Sequence, residues 1–344
     1  MKNNSQAATN SGTRAGRRSY LRFTFRITLS VFLPALMALG LSACSRNKPV
    51  VASGQQQPAT SVPAVEQRPE SADAALSERL RSISNGANGD IGVAVVHVES
   101  GRAVDVEGAK QLPLYSVYKL PLAITVLGEV EAANLSLDKK VQVTPDDVAS
   151  GSQFNADLWR KPADKTVAEL LEYSIVRSDN TSSDKLLPLV GGPAAVTERM
   201  RALGFSNIDI KYSSREFAAN RDKPNTATAS DLAQLLARLQ KGELLKAPQL
   251  SLLLGFMERA RTGGERRIRA NLPAGTQVAE KTGTGDDTTN DVGLITLPEG
   301  KGHLSIAVLL TRSKLSAEAQ EKLIAELARA AYDSFVSTAP ATLH

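Results

Sequence analysis

The hydrophobic pattern predicts an α/β (α+β) fold, with one sheet assembled from both ends of the chain and an all-helical lobe built from its middle. Three observations carry that reading. Alternating apolar segments occur at 91–106 and again at 277–311, the stretch between them is dominated by helical spacing, and an amphipathic helix closes the chain.

In order along the chain, residues 74–84 carry Ala75, Leu76, Leu80 and Ile83 at helical intervals. Segments 91–98 and 103–106 read as paired strands around the turn Glu99-Ser100-Gly101-Arg102. Residues 117–130 form a strongly apolar helix, and 170–176, 185–189, 194–202, 231–239 and 250–259 supply the helices of the middle lobe. Segments 277–281, 292–297 and 304–311 return to strand character, and 318–335 is the closing helix. No internal repeat is visible. A cleft between the two lobes is the expected site.

Charge and cysteine usage narrow the function. The 344 residues carry 41 Lys+Arg against 36 Asp+Glu, but six of the basic residues (Lys2, Arg14, Arg17, Arg18, Arg22, Arg26) fall within 1–43. The remainder, 35 basic against 36 acidic, has no basic run interleaved with aromatics, so nucleic acid is not an expected partner. One cysteine excludes a disulfide framework and a cysteine-rich zinc cluster. The three histidines, His97, His303 and His344, show no short ligand spacing. No metal or cofactor is expected, and the chemistry falls to Ser, Lys, Asp and Glu.

Residues 1–43 read as a signal peptide: a basic stretch to Arg26, then an apolar run shorter than the ~18–20 residues of a membrane span. The run ends in Leu41-Ser42-Ala43-Cys44, which resembles a bacterial lipoprotein lipobox with Cys44 as the acylated residue. Arg17-Arg18-Ser19-Tyr20-Leu21-Arg22 also resembles a twin-arginine export motif. Residues 44–72 contain four prolines and few large apolar groups, a flexible tether that leaves 73–344 as the globular domain. The protein is expected to be exported and lipid-anchored on the periplasmic side of a bacterial membrane, the outer membrane in a Gram-negative cell.

Three short motifs give the cleft its chemistry. In Ser116-Val117-Tyr118-Lys119, residues i and i+3 share a helix face, so the Lys119 amine can reach the Ser116 hydroxyl. Ser45…Lys48, Ser136…Lys139 and Ser182…Lys185 repeat the spacing, but only Ser116 opens an apolar helix, whose N-terminus favours a developing negative charge. Ser178-Asp179-Asn180 follows 62 residues after Ser116 and alone could be a helix N-cap. Lys281-Thr282-Gly283-Thr284-Gly285 follows 103 residues after Ser178 and alone could be a strand-to-turn exit.

In this order, the trio resembles the class A serine β-lactamases, a motif set shared with penicillin-binding proteins. The resemblance runs from about residue 75 to 337. LLEYSIVRSDN, LVGGPAAV, LPAGTQVAEKTGTG and TNDVGLITLP look like the PER-like, extended-spectrum branch. It implies the serine β-lactamase/penicillin-binding-protein-like fold, an antiparallel sheet flanked by helices beside an all-α lobe. It also implies a nucleophile at Ser116, a proton-transfer partner at Lys119 and a proton donor to the departing nitrogen at Ser178. Asn180 would hold the substrate amide, Lys281 and Thr282 its carboxylate, and the N–H groups of Ser116 and Thr284 the oxyanion.

The same resemblance implies a hydrolytic base at Glu216 in Glu216-Phe217-Ala218-Ala219-Asn220, with Asn220 helping to hold the water. This stretch is a few residues shorter than in many relatives, and Asn225 stands where they carry an Asp that ion-pairs to close the loop. No arginine lies between Lys281 and Arg312. The PER-like resemblance instead implies a carboxylate anchor on the segment before the Lys281 strand. Counting back from Lys281 places it at Arg267, flanked by Arg266 and Arg269, with a solvent-facing role as the alternative for all three. Phe154 and Trp159 are aromatic candidates for the cleft wall or for packing. The expected function is β-lactam hydrolysis by a monomer. A D,D-peptidase acting on cell-wall peptides is the alternative enzyme, and a cell-wall-binding lipoprotein the non-enzymatic one.

Overall fold

A computed structural model of the chain describes residues 68–149, 151, 155, 157–220 and 222–337. The leader, Cys44, most of the tether and Phe154 therefore lie outside the described residues.

The elements run α1 (Arg68–Ser84), β1 (Asp90–His97), β2 (Ala103–Val106), β3 (Leu112–Pro113), a 3₁₀ turn (Tyr115–Tyr118), α2 (Lys119–Glu131), β4 (Lys140–Val143), β5 (Ala163–Thr166), α3 (Val167–Val176) and α4 (Asn180–Leu186). They continue with α5 (Pro193–Ala202), α6 (Ser214–Ala219), β6 (Thr226–Ala227), α7 (Ala229–Gln240), α8 (Ala247–Glu258), β7 (Val278–Thr284), β8 (Thr289–Thr296), β9 (His303–Thr311) and α9 (Ala317–Ser337). The main sheet is antiparallel with order β2-β1-β9-β8-β7, so the two chain ends meet at the β1–β9 pairing, Val93 opposite Val308.

Period-two alternation splits the central strands between two cores. On β1, Ile91, Val93 and Val95 join Leu80 of α1 and Leu327 of α9 on one face, whereas Ala94 and Val96 pack toward α2 and α7 on the other. β9 repeats this, with Ile306 and Val308 on the first face and Ala307 and Leu309 on the second. Each such fully buried aliphatic side chain contributes about 1.5–3 kcal/mol. Helix α2 is buried on every side from Lys119 to Leu127, as expected of a central helix that is apolar all round.

The structure differs from the sequence reading at three places that matter for the site. The helix expected from 117 starts as an α-helix at Lys119, after the 3₁₀ turn. Pro121 cannot donate to the residue 117 carbonyl, and an α-helical start at Lys119 keeps the proline in the first turn. The helix expected at 185–189 begins at Asn180, because Asp179 caps it through Ser182 N, and yields to a 3₁₀ turn where Pro188 follows. Helix α6 has no apolar period at all and is held by the Ser213–Glu216 capping box. At the N-terminal end, α1 reaches back to Arg68, ahead of the expected boundary at residue 73, with Pro69 near its start where a missing N–H costs nothing.

Candidate active site

The turn that carries Ser116 hangs between the sheet and the helical lobe. Asn290 of β8 donates its amide to Pro113 O (2.8 Å) and Leu114 O (3.2 Å), tying the sheet to the segment ahead of Ser116. Gly283 of β7 lies against the same segment, where a Cβ would press on the Leu114 carbonyl oxygen. The glycine of Lys-Thr-Gly thus lets the strand approach the segment before Ser116 closely. Tyr115, just before Ser116, is held at φ +45°, and Ser178 at φ +52°. Left-handed conformations at non-glycine residues cost on the order of 1–3 kcal/mol each and persist where the surrounding structure over-determines them.

Lys119 is the hub. Its buried amine donates to Ser116 Oγ (3.1 Å), Ser178 O (2.6 Å), Ser178 Oγ (3.3 Å) and Asn180 Oδ1 (2.6 Å). Lys281, equally buried, donates to Ser178 Oγ (2.9 Å) and to Thr282 O (2.8 Å). The three motifs therefore converge on Ser178, which stands between two amines. Burial lowers Lys119 to about 8, against the opposing pull of Asp179 and Asp184. Burial and the neighbouring Lys119 charge hold Lys281 well below the usual lysine range.

Asp179, the middle residue of its motif, has no opening to the cleft. Its carboxylate accepts from Ser182 N (2.7 Å), Ser182 Oγ (2.7 Å), Asn155 Nδ2 (3.3 Å) and Trp159 Nε1 (3.2 Å to Oδ2). The N-cap reading of this motif describes Asp179, while Ser178 and Asn180 on either side carry the polar contacts of the site. Trp159 is packed, 3% exposed, and serves as a donor to Asp179.

Ser116, Asn180 and Thr284 open onto one cavity of about 230 Å³, which Tyr115 and Phe217 also line. Thr282 is buried and shares its hydroxyl with Thr262 (2.6 Å). Arg267 is 2% exposed and lies behind β7. It donates to Thr284 Oγ1 (2.8 Å) and Asn290 O (2.9 Å), with Glu321 as its counter-charge at 3.3 Å. Its position is that of a support for Thr284, one shell back from the cavity surface.

Glu216 and Asn220 are not brought to Ser116 in this structure. Glu216 is exposed, its carboxylate accepts from Ser213 N (2.9 Å), and it faces a neighbouring cavity with Asp184 and Lys185. Asn220 Nδ2 donates to the Glu216 carbonyl (2.8 Å), at the end of α6. The loop is held by an amide: Asn225 is buried and bonds the backbone of Lys211 and Tyr212, while its own carbonyl accepts from Leu114 N (2.8 Å).

Several contributors carry no motif in sequence. Asp184 accepts from Ser214 N (2.8 Å) and Arg215 N (2.9 Å), and Tyr118 Oη meets Ser214 Oγ (2.9 Å), so the turn of α6 is anchored beside Lys119. Only the four-residue distance from Asn180 to Asp184 on one helix face offered a hint. Among the described residues no group of three His, Cys, Asp or Glu stands where it could hold a metal.

A model of the "Beta-lactamase enzyme family" matches residues 75–335. The extended-spectrum β-lactamase PER-1 of Pseudomonas aeruginosa is 32% identical over 271 residues, covering 75% of this chain and 86% of the relative. The crystal structure of TLA-3 extended-spectrum β-lactamase superposes with a TM-score of 0.74 at 31% identity, covering 77% of this chain and 100% of that one. A variant of the last common ancestor of Gram-negative bacteria class A β-lactamase gives 0.70 at 34% identity, covering 76% and 98%.

Proposed function

This chain belongs to the β-lactamase enzyme family, in its class A branch, and hydrolyses β-lactams; we propose that it does so through an ester formed on Ser116. The observation that carries this reading is the Lys119 amine within hydrogen-bonding reach of Ser116 Oγ, Ser178 Oγ and Asn180 Oδ1 together.

In the first step Lys119, lowered to about 8, acts in its neutral form and takes the proton of Ser116 as Oγ attacks the lactam carbonyl carbon. The N–H groups of Ser116 and Thr284 meet the developing oxyanion, where one donor is typically worth ~10²–10³ in rate. The C–N bond breaks as Ser178 gives its proton to the nitrogen and regains one from Lys119. The net transfer is from Ser116 to the ring nitrogen, and both lysines end as they began. Lys281 and Thr282 are the proposed donors for the substrate carboxylate, with Arg267 supporting the strand end at Thr284.

Glu216 is the proposed base for the second step, in which water cleaves the ester. Its carboxylate must first leave Ser213 N, and a capping contact costs only about 0.5–2 kcal/mol to lose. A general base contributes ~10²–10⁴ in rate, or about 3–5 kcal/mol off the barrier, so a net gain in rate remains after that cost. The outward carboxylate also favours a second reading: slow deacylation, the behaviour of a penicillin-binding D,D-peptidase. Hydrolysis of a chromogenic cephalosporin by the purified protein tests the proposal; one equivalent of colour followed by arrest would support the second reading.

We also propose that Cys44 carries a lipid anchor, on the strength of the Leu41-Ser42-Ala43-Cys44 sequence. The protein should then sediment with membranes and become soluble as Cys44→Ala. A soluble wild type contradicts it.

A further inference from the structure

Cleavage of an ester on Ser116 needs a water that is oriented as well as activated. Asn220, the residue expected to hold it, gives its amide to the Glu216 carbonyl (2.8 Å). The cavity wall offers two neighbouring hydroxyls instead. Tyr118 Oη, from the 3₁₀ turn, meets Ser214 Oγ at 2.9 Å, and both residues line the cavity with Ser116. A bound water needs roughly two to four polar partners, and this pair supplies two on one side.

The pair is fixed from behind. Tyr118 is buried, with the Lys119 amine 5.9 Å from its ring centroid. Asp184 takes Ser214 N (2.8 Å) and Arg215 N (2.9 Å), and its carboxylate bears on both hydroxyls. A carboxylate on that side turns hydroxyl hydrogens toward itself and leaves oxygen lone pairs for the cavity. Burial and the Asp184 charge push the Tyr118 phenol above its ordinary range, so it stays neutral during turnover.

We propose that the Tyr118 and Ser214 hydroxyls hold the deacylating water, with Asp184 as the positioning residue behind them, an inference that rests on the β-lactamase reading above. The water donates one hydrogen to the pair and turns a lone pair to the ester carbon. Its oxygen bonds to that carbon, its other proton passes to Glu216, and the carbon–oxygen bond to Ser116 breaks. Ser116 Oγ recovers the proton from Glu216, and Tyr118 and Ser214 end as they began.

The test follows the benzylpenicillin adduct by time-resolved intact-mass spectrometry, its appearance giving acylation and its decay giving deacylation. Tyr118→Phe keeps the ring and removes the hydroxyl. Ester loss should slow by about tenfold or more while acylation stays within about threefold, since misplacing a reacting atom costs up to ~10² in the step that uses it. Ser214→Ala, on a half-buried residue, should do the same and serves if Tyr118→Phe does not fold. Ser214→Thr keeps a hydroxyl and should bring the ester lifetime back to within about threefold of the wild type. Ester lifetimes unchanged in both deletion variants overturn the proposal alone. So does acylation slowed as much as deacylation, which would make the pair an anchor of the loop only. A wild type that gains no adduct, or never loses it, overturns the functional reading and this inference with it.

Discussion

Asn225 and Tyr212 exchange two hydrogen bonds: Tyr212 N donates to Asn225 Oδ1 at 2.9 Å, and Asn225 Nδ2 donates to Tyr212 O at 2.9 Å. A neutral amide therefore closes the loop that many relatives close with a carboxylate. Asn225→Asp keeps the acceptor, loses the donor and sets a buried negative oxygen against a carbonyl. The expected cost is about 1–3 kcal/mol, read as a melting temperature several degrees lower. An unchanged or raised melting temperature would mean that the loop does not depend on this amide.

Lys119 governs the pH response. kcat/KM should rise with pH through about 8 as its amine becomes neutral. Asp184 raises the Lys119 pKa through its charge, so Asp184→Asn should move this limb to lower pH. Stability carries the matching sign. With an ordinary lysine value of 10.5 in the unfolded chain and about 8 in the folded one, the unfolded chain binds more protons across that window, so stability rises with pH from about 8 toward 10.5. In denaturant titrations this slope should be smaller in Lys119→Met than in the wild type, the remainder coming from buried Lys281.

Trp159 matters through one donor. Trp159→Phe removes the indole N–H from the buried Asp179 carboxylate and leaves its other contacts in place. The expected loss is about 1–3 kcal/mol, with acylation slowed because Asp179 caps the helix that positions Asn180. Full activity with only lower stability would confine Trp159 to packing.

Much of this architecture is legible in the sequence because the information is local. Alternation on β1 and β9 and the apolar run of α2 are backbone periodicities that a window of ten residues reveals. Ser116, Lys119, Ser178 and Lys281 are legible only as a set, since each motif taken alone has an ordinary structural explanation. Helix α4 escaped because Thr181, Ser182 and Ser183 are buried polar residues satisfied within the lobe, which hydrophobicity cannot register. The orientation of Glu216 is likewise invisible to spacing. A Glu four residues before an Asn fits a water-holding turn, and the same Glu three residues after Ser213 fits a capping box. The distance from Lys281 marks Arg267 in the sequence, but its place behind Thr284 depends on Glu321, 54 residues away.

Glu216→Gln should separate the two steps. Acylation of Ser116 should continue through Lys119, whereas loss of the ester should slow by at least ~10² if Glu216 swings in as the base. Equal ester lifetimes in wild type and variant would leave Glu216 as a capping residue and support the penicillin-binding reading.

The central claim is a hydrolysable ester on Ser116, and intact-mass spectrometry during turnover of benzylpenicillin tests it most directly. The wild type should gain the full mass of the drug on the peptide containing Ser116, lose it within the time of substrate exhaustion, and gain nothing as Ser116→Ala. An adduct that forms equally in Ser116→Ala would contradict the account and direct attention to Ser178.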